Sequence, residues 1–200
     1  MKTTTTNTQR DFLQELVESH DFYQNNLKQR EYLITNFERL KPDIAFSKRL
    51  NIWIEDFYNN HSRFFVFVDF DDFDYNDISG THKKHVARFK ETGKIHIWTG
   101  ASENTIFSDP KNNWYFRAWH NFIHINYNLD YSFEGESIVA SKQCAMLDKG
   151  WLLEKELVQI EIISQGHYFH VHSDFPVNQR KFCISYLRDP ISAIFTKQQV

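Results

Sequence analysis

An aromatic segment at residues 114–124 places the strongest constraint on how this chain can fold. Aromatic and apolar side chains recur there at helical spacing, which predicts a helix that packs into the interior. On such a helix His120 and His124 lie one turn apart and share a face. Two imidazoles at this spacing can chelate one metal ion. The alternative is a pair of core histidines, each hydrogen-bonded to a backbone carbonyl or a carboxylate.

Carboxylates on the following segments can complete a mixed histidine and carboxylate site. Glu136 falls in a second predicted helix at 132–147, and Glu161 in a third at 151–165. Each shares a helix face with a glutamine, Gln143 and Gln165 respectively, so two polar stripes can converge on the histidines.

The predicted cofactor is therefore a divalent metal ion, either zinc, manganese or magnesium, bound by His120, His124 and Glu136. Glu161 is the predicted fourth ligand or catalytic base. Arg117, one turn before His120, can orient an anionic substrate, although a salt bridge on the helix surface explains it equally well.

The protease motif His-Glu-x-x-His is excluded, because Asn121 stands where that motif has its glutamate. Glycine-rich phosphate loops and a nucleophile elbow are also missing from a chain with only six glycines.

Two other polar clusters compete with the histidine pair as candidate sites. Five aspartates lie between residues 69 and 77, which we interpret as a solvated acidic loop rather than a cation site. His167, His170 and His172 follow the third predicted helix, where they form either a second metal cluster or an exposed loop.

The remaining patterns predict one α+β domain over residues 10–200, predominantly helical with a small antiparallel sheet. Helical spacing recurs within 10–40, 50–59 and 178–187, and two short runs at 63–70 and 94–98 suit paired strands. Residues 1–9 read as a disordered polar tail.

Composition limits the classes of partner. The 23 basic and 26 acidic residues give a net charge of −3 without a dense basic cluster, which argues against a nucleic-acid partner. The sequence lacks an apolar run long enough to span a membrane, and its two cysteines form no Cys-x-x-Cys pair. We expect a cytoplasmic protein whose partner is a small-molecule substrate or another protein; the patterns do not define an oligomeric state.

Residues 113–124 fit the pattern Asn-Trp-x-Phe-Arg-x-Trp-His-Asp-x-x-His except at Asn121, where the pattern has Asp. In this pattern, residues 98–190 resemble an uncharacterised family of phage and prophage proteins. The resemblance implies a viral origin, action in the host cytoplasm or in the virion, and a site at His120, His124 and Glu136, but it supplies no reaction.

Taken together, the sequence predicts a metal-dependent, phage-encoded hydrolase acting on a nucleotide or another small phosphorylated molecule. The alternative is a non-catalytic virion or host-interaction protein that binds another protein through its aromatic surface and acidic loop.

Overall fold

The computed structural model describes residues 27–199, and most of this range is helical. The helices are α1 (Leu27–Arg39), α2 (Lys48–His61), α3 (Ile78–Thr92), α4 (Pro110–Tyr127), α5 (Phe133–Met146), α6 (Leu152–Gln159), α7 (Gln165–His172), α8 (Gln179–Arg188) and α9 (Pro190–Phe195). The strands are β1 (Phe65–Val68) and β2 (Ile95–Trp98). A π-helical turn, Ile160–Ser164, joins α6 to α7. The predicted tail at 1–9 and the first part of the helix predicted within 10–40 lie outside the described residues.

The helices predicted around the histidine pair are confirmed as α4 and α5. The third predicted helix, at 151–165, begins as α6 but continues through the π-helical turn into α7. Its continuation places the histidines at 167–172 on a helix rather than in an extended loop.

The antiparallel sheet predicted for this fold is wrong, because β1 and β2 pair in parallel. Phe65 lies opposite Ile95 and Val68 opposite Trp98, so both strands run in the same direction. Parallel neighbours need a long crossover, and α3 supplies it. Asp77 caps the start of α3 and Gly93 ends it in the left-handed conformation, with φ of 68°.

One part of the core lies where α2 and β2 pack against α4, and the same buried cluster continues through α5 to α9. Trp119 on α4 and Ile97 on β2 are both completely buried, as is Ile54 on α2. Trp119 also contacts Trp53, with ring centroids 4.5 Å apart. One face of α4 is therefore fixed in the core, which orients the face that carries the two histidines.

Among the described helices, none combines the length and the apolar character needed to cross a membrane.

Candidate metal centre

Local capping fixes both helices of the candidate site. Asp109 caps the start of α4, and Asn128 ends it in the left-handed conformation, with φ of 52°. Ser132 then caps α5 by accepting a hydrogen bond from the backbone N–H of Gly135 at 3.2 Å. This short connection places Glu136 in the first turn of α5, where the helix dipole favours a carboxylate.

His120, His124 and Glu136 meet at one point. The two Nε2 atoms lie 3.0 Å apart, and the Glu136 oxygens lie 3.3 Å from Nε2 of His120 and 3.4 Å from Nε2 of His124. Atoms that bind one ion at about 2.0–2.2 Å are separated by about 3 to 3.5 Å at tetrahedral or octahedral angles. Within the described residues this is the only group of three or more such side chains that could hold a metal ion.

The outer nitrogens of both rings are held by oxygen atoms. Nδ1 of His124 lies 2.9 Å from the Leu129 carbonyl oxygen, and Nδ1 of His120 lies 3.1 Å from Oε1 of Gln143. Because these oxygens only accept, each Nδ1 carries the hydrogen and each Nε2 directs its lone pair into the cluster. Two facing lone pairs 3.0 Å apart repel, so a cation is required between them, either a proton or a metal ion.

The pKa values of His120 and Glu136 are shifted because the imidazoles and the carboxylate lie so close together. Burial disfavours the imidazolium form of His120, but the Glu136 carboxylate outweighs burial and raises the pKa of His120. Burial likewise opposes ionisation of Glu136, yet the two imidazoles lower its pKa well below the usual range. Glu136 is therefore a carboxylate at neutral pH, as a metal ligand must be.

The cluster is accessible from one side. The His124 side chain is completely buried, whereas the side chains of His120 and Glu136 are 18% and 25% exposed. Two of the three side chains are therefore partly exposed, and the third is enclosed. An open side of this kind is found in catalytic metal sites and is absent from closed structural ones.

On its buried side the cluster is backed by a chain of hydrogen-bonded groups. The Tyr131 ring packs on His124 with centroids 4.5 Å apart, and its hydroxyl lies 2.8 Å from Nδ1 of His85. Nε2 of His85 lies 3.1 Å from Asp72, which also pairs with Arg88. His85 therefore donates to Asp72 and accepts from Tyr131, which fixes the ring of Tyr131 against His124.

Sequence reasoning missed the contribution of α3 to this environment. His85 comes from α3, and so does His82, whose ring meets Tyr131 edge-on at 5.6 Å. These two histidines are three residues apart, so they share a helix face. This interval of three residues would have indicated that the two histidines lie together, if residues 78–92 had been predicted to form a helix.

Arg117 lies one turn before His120, and its guanidinium holds the loop after β2. It donates to the carbonyl oxygens of Trp98 at 2.7 Å and Gly100 at 2.6 Å. None of the ion pairs among the described residues involves Arg117. The salt bridge on the helix surface, offered as the alternative role of Arg117, is therefore not formed. The side chain of Arg117 is half-buried, and its guanidinium forms no ion pair with a carboxylate of the described residues.

Glu161 lies on the π-helical turn and is not part of the three-residue cluster. Burial raises its pKa to about 8, against smaller opposing effects of Gln165 and Arg117. A carboxyl group with this pKa is protonated at neutral pH. The role of Glu161 as fourth ligand or catalytic base stays a prediction.

In the two other polar clusters, several side chains pack against or pair with neighbouring residues. His167 is buried and stacks on Phe133, with centroids 4.9 Å apart, and Nε2 of His172 lies 2.9 Å from the Ile194 carbonyl oxygen. In the acidic loop, Asp74 is exposed as expected of a solvated residue, whereas Asp72 is largely enclosed by basic side chains.

Comparisons of this chain with protein-family models, curated proteins and solved structures find no match. The resemblance of residues 98–190 to phage proteins therefore stays a prediction.

Proposed function

We propose that this protein is a metal-dependent hydrolase acting on a nucleotide or another small phosphorylated molecule. One observation carries the proposal: His120, His124 and Glu136 direct three ligand atoms at one point, and two of these side chains are partly exposed. Two imidazoles and one glutamate with water at a further position form a ligand set of catalytic zinc sites. On the phage resemblance, we place the enzyme in the cytoplasm of an infected host.

The donor atoms favour zinc or manganese over magnesium. Magnesium prefers oxygen ligands and retains several waters, whereas two of the three ligands here are imidazole nitrogens. Once bound, the ion would lower the pKa of a coordinated water or polarise a phosphoryl oxygen. Gln143 and the Leu129 carbonyl group orient the two imidazole rings through hydrogen bonds. The substrate would approach from the side on which His120 and Glu136 are partly exposed.

Metal analysis of the untagged protein, together with hydrolysis assays, tests the proposal. We expect about one zinc or manganese ion per chain and metal-dependent release of phosphate from at least one member of a panel of nucleotides and sugar phosphates. Glu136→Gln should lose the ion and lower kcat/KM by at least about 100-fold. Glu134→Gln is the matched control, because Glu134 is an exposed residue in the same first turn of α5.

Three results would contradict the proposal. The first is wild-type protein without metal after growth in zinc and manganese, and the second is metal-loaded protein without hydrolysis of any member of the panel. The third is bound iron, because two histidines and one carboxylate also form the facial triad of iron oxygenases.

A protein-binding role is the second candidate, favoured by an aromatic surface. Tyr75 contacts Phe169 and Phe175, with ring centroids 5.1 and 6.1 Å away. Tyr75 and Phe175 are 41% and 42% exposed. Exposed aromatic side chains in contact with one another are typical of binding surfaces. A metal-free protein that retains its fold would favour this role.

A further inference from the structure

Tyr131, in the connection between α4 and α5, packs against several aromatic rings, and one of them belongs to a candidate metal ligand. Its ring centroid lies 4.5 Å from that of His124 and 5.1 Å from that of Phe73. His82 and His85, both on α3, meet the same ring edge-on at 5.6 Å. Tyr131 itself is only 8% exposed. Because closely packed rings do not turn independently, the orientation of Tyr131 determines how the His124 imidazole lies.

The hydroxyl of Tyr131 is connected to the acidic loop at residues 69–77 through one histidine. It lies 2.8 Å from Nδ1 of His85, and Nε2 of His85 lies 3.1 Å from Oδ1 of Asp72. Arg88 pairs with the same carboxylate and holds it in place. Since the carboxylate only accepts, the hydrogen of His85 lies on Nε2, and Nδ1 accepts from the phenol. The hydroxyl of Tyr131 therefore has a fixed partner, and the ring follows its direction.

Two consecutive residues of the acidic loop thus act on Tyr131. Asp72 acts through His85, and Phe73 contacts the Tyr131 ring directly. The five aspartates of this loop, all of them described, are outside the ligand cluster. The loop can therefore influence a bound ion through Tyr131 and His124 without coordinating it. Groups that hold a ligating histidine from behind typically change metal affinity by about 10- to 100-fold.

We propose that Tyr131 is a positioning residue of the metal centre: held by His85 and Asp72, it keeps the His124 imidazole directed at the ion. This inference rests on the proposed function and adds the acidic loop to the parts of the protein that set its metal affinity. A purely structural role of the same residues would stabilise the fold and leave the metal affinity of the folded protein unchanged. A metal titration therefore separates the two roles.

Zinc titration of the full-length protein against a competing chelator tests the role of the hydroxyl. Tyr131→Phe keeps the ring and removes the hydrogen bond to His85, so zinc affinity should fall at least tenfold. Tyr168→Phe is the matched control, because its buried hydroxyl accepts from the Gln198 N–H at 2.8 Å and its ring packs on Phe182. The control should bind zinc like the wild type, although its Tm should fall by a similar amount. The visible spectrum of cobalt-loaded protein, which reports ligand geometry, should change only in Tyr131→Phe.

Substitutions of His85 and Asp72 test the connection to the loop. His85→Asn retains an acceptor near the position of Nδ1 and should bind zinc within about threefold of the wild type, whereas His85→Leu should lose at least tenfold. Asp72→Ala removes the acceptor that keeps the hydrogen on Nε2 of His85, so zinc affinity should fall at least threefold. In the Tyr131→Phe background the same change should have no further effect, because the chain is already broken. If Tyr131→Phe does not fold, the two His85 variants decide the matter.

The inference is overturned if Tyr131→Phe binds zinc as tightly as the control, if His85→Leu equals His85→Asn, or if the effects of Asp72→Ala and Tyr131→Phe simply add. Failure of the proposed function gives a different result. Zinc-loaded or manganese-loaded wild type without hydrolysis contradicts the hydrolase, while the zinc affinities of the variants still measure the role of Tyr131. Wild type that binds neither zinc nor cobalt overturns both proposals.

Discussion

At the scale of single residues, Asp72 is the member of the acidic loop whose carboxylate stabilises the fold. Its carboxylate pairs with Arg88 and accepts a hydrogen bond from His85, and its side chain is only 16% exposed. Burial would raise the pKa of Asp72, but these two partners outweigh burial and lower it well below the usual range. The partners lie 13 and 16 residues further along the chain, so a local reading of the loop cannot reveal them.

Replacing Asp72 with Asn should destabilise the protein by about 2 to 3 kcal/mol at pH 7, because two basic groups lose their shared partner. Since the pKa of Asp72 is lowered in the folded state, its stabilising contribution is complete above about pH 4, the pKa of an unfolded aspartate. It is lost as the pH falls further. Urea unfolding of wild type and variant at several pH values measures this difference.

Asp74→Asn is the control, since Asp74 is exposed and an asparagine retains the oxygen that accepts from the Asn76 N–H. Its free energy of unfolding should change by less than about 0.5 kcal/mol. If the Asp72 variant were as stable as the wild type, or if its deficit persisted at the acid end of the titration, the assignment of a structural role to Asp72 would be wrong.

At the scale of elements, the connection between α4 and α5 determines where Glu136 stands. Gly135, in the first turn of α5, packs against this connection, because a Cβ atom there would lie 2.0 Å from the backbone carbonyl oxygen of Asp130. The same connection returns the Leu129 carbonyl to Nδ1 of His124. One short segment thus aligns a ligand from each helix.

Gly135→Ala should destabilise the fold by about 1 to 3 kcal/mol and lower metal affinity at least tenfold, because the backbone must move at the residue next to Glu136. Gly166→Ala provides a matched comparison: a Cβ atom at Gly166 would meet no atom within 4 Å, and alanine favours a helix by about 0.5 to 1 kcal/mol. Calorimetric metal titration and thermal unfolding report both effects. Unchanged metal affinity in Gly135→Ala would refute the positioning role of this connection.

Local patterns predicted the elements better than their arrangement. The aromatic spacing around Trp119 predicted α4, and the interval of four residues predicted that His120 and His124 share a face. The direction of strand pairing was not predictable from β1 and β2 alone, since it depends on the crossover through α3. The helical continuation beyond residue 165 was also missed, because Gly166 suggests a helix end in the sequence although it lies inside α7.

At the scale of the whole molecule, the metal centre and the core are adjacent but separate. Trp119 points into the core from the same helix that presents His120 and His124 to the cluster. A chain of 200 residues can bury enough apolar surface to fold without a metal ion. Metal binding should therefore add to stability without being required for folding.

Metal at about 100 times its Kd should raise the free energy of unfolding by about 2.7 kcal/mol, which corresponds to a Tm increase of about 5 to 10 °C for a chain of this size. The reason is that the ion binds the three converged ligands of the native state and not the separated ligands of the unfolded chain. His124→Ala should remove this increase, whereas His170→Ala, at an exposed position on α7, should retain it. Thermal unfolding with zinc, with manganese and with a chelator measures the effect. Complete unfolding by the chelator would show that the metal is a structural requirement, and an increase that persists in His124→Ala would place the ion elsewhere in the molecule.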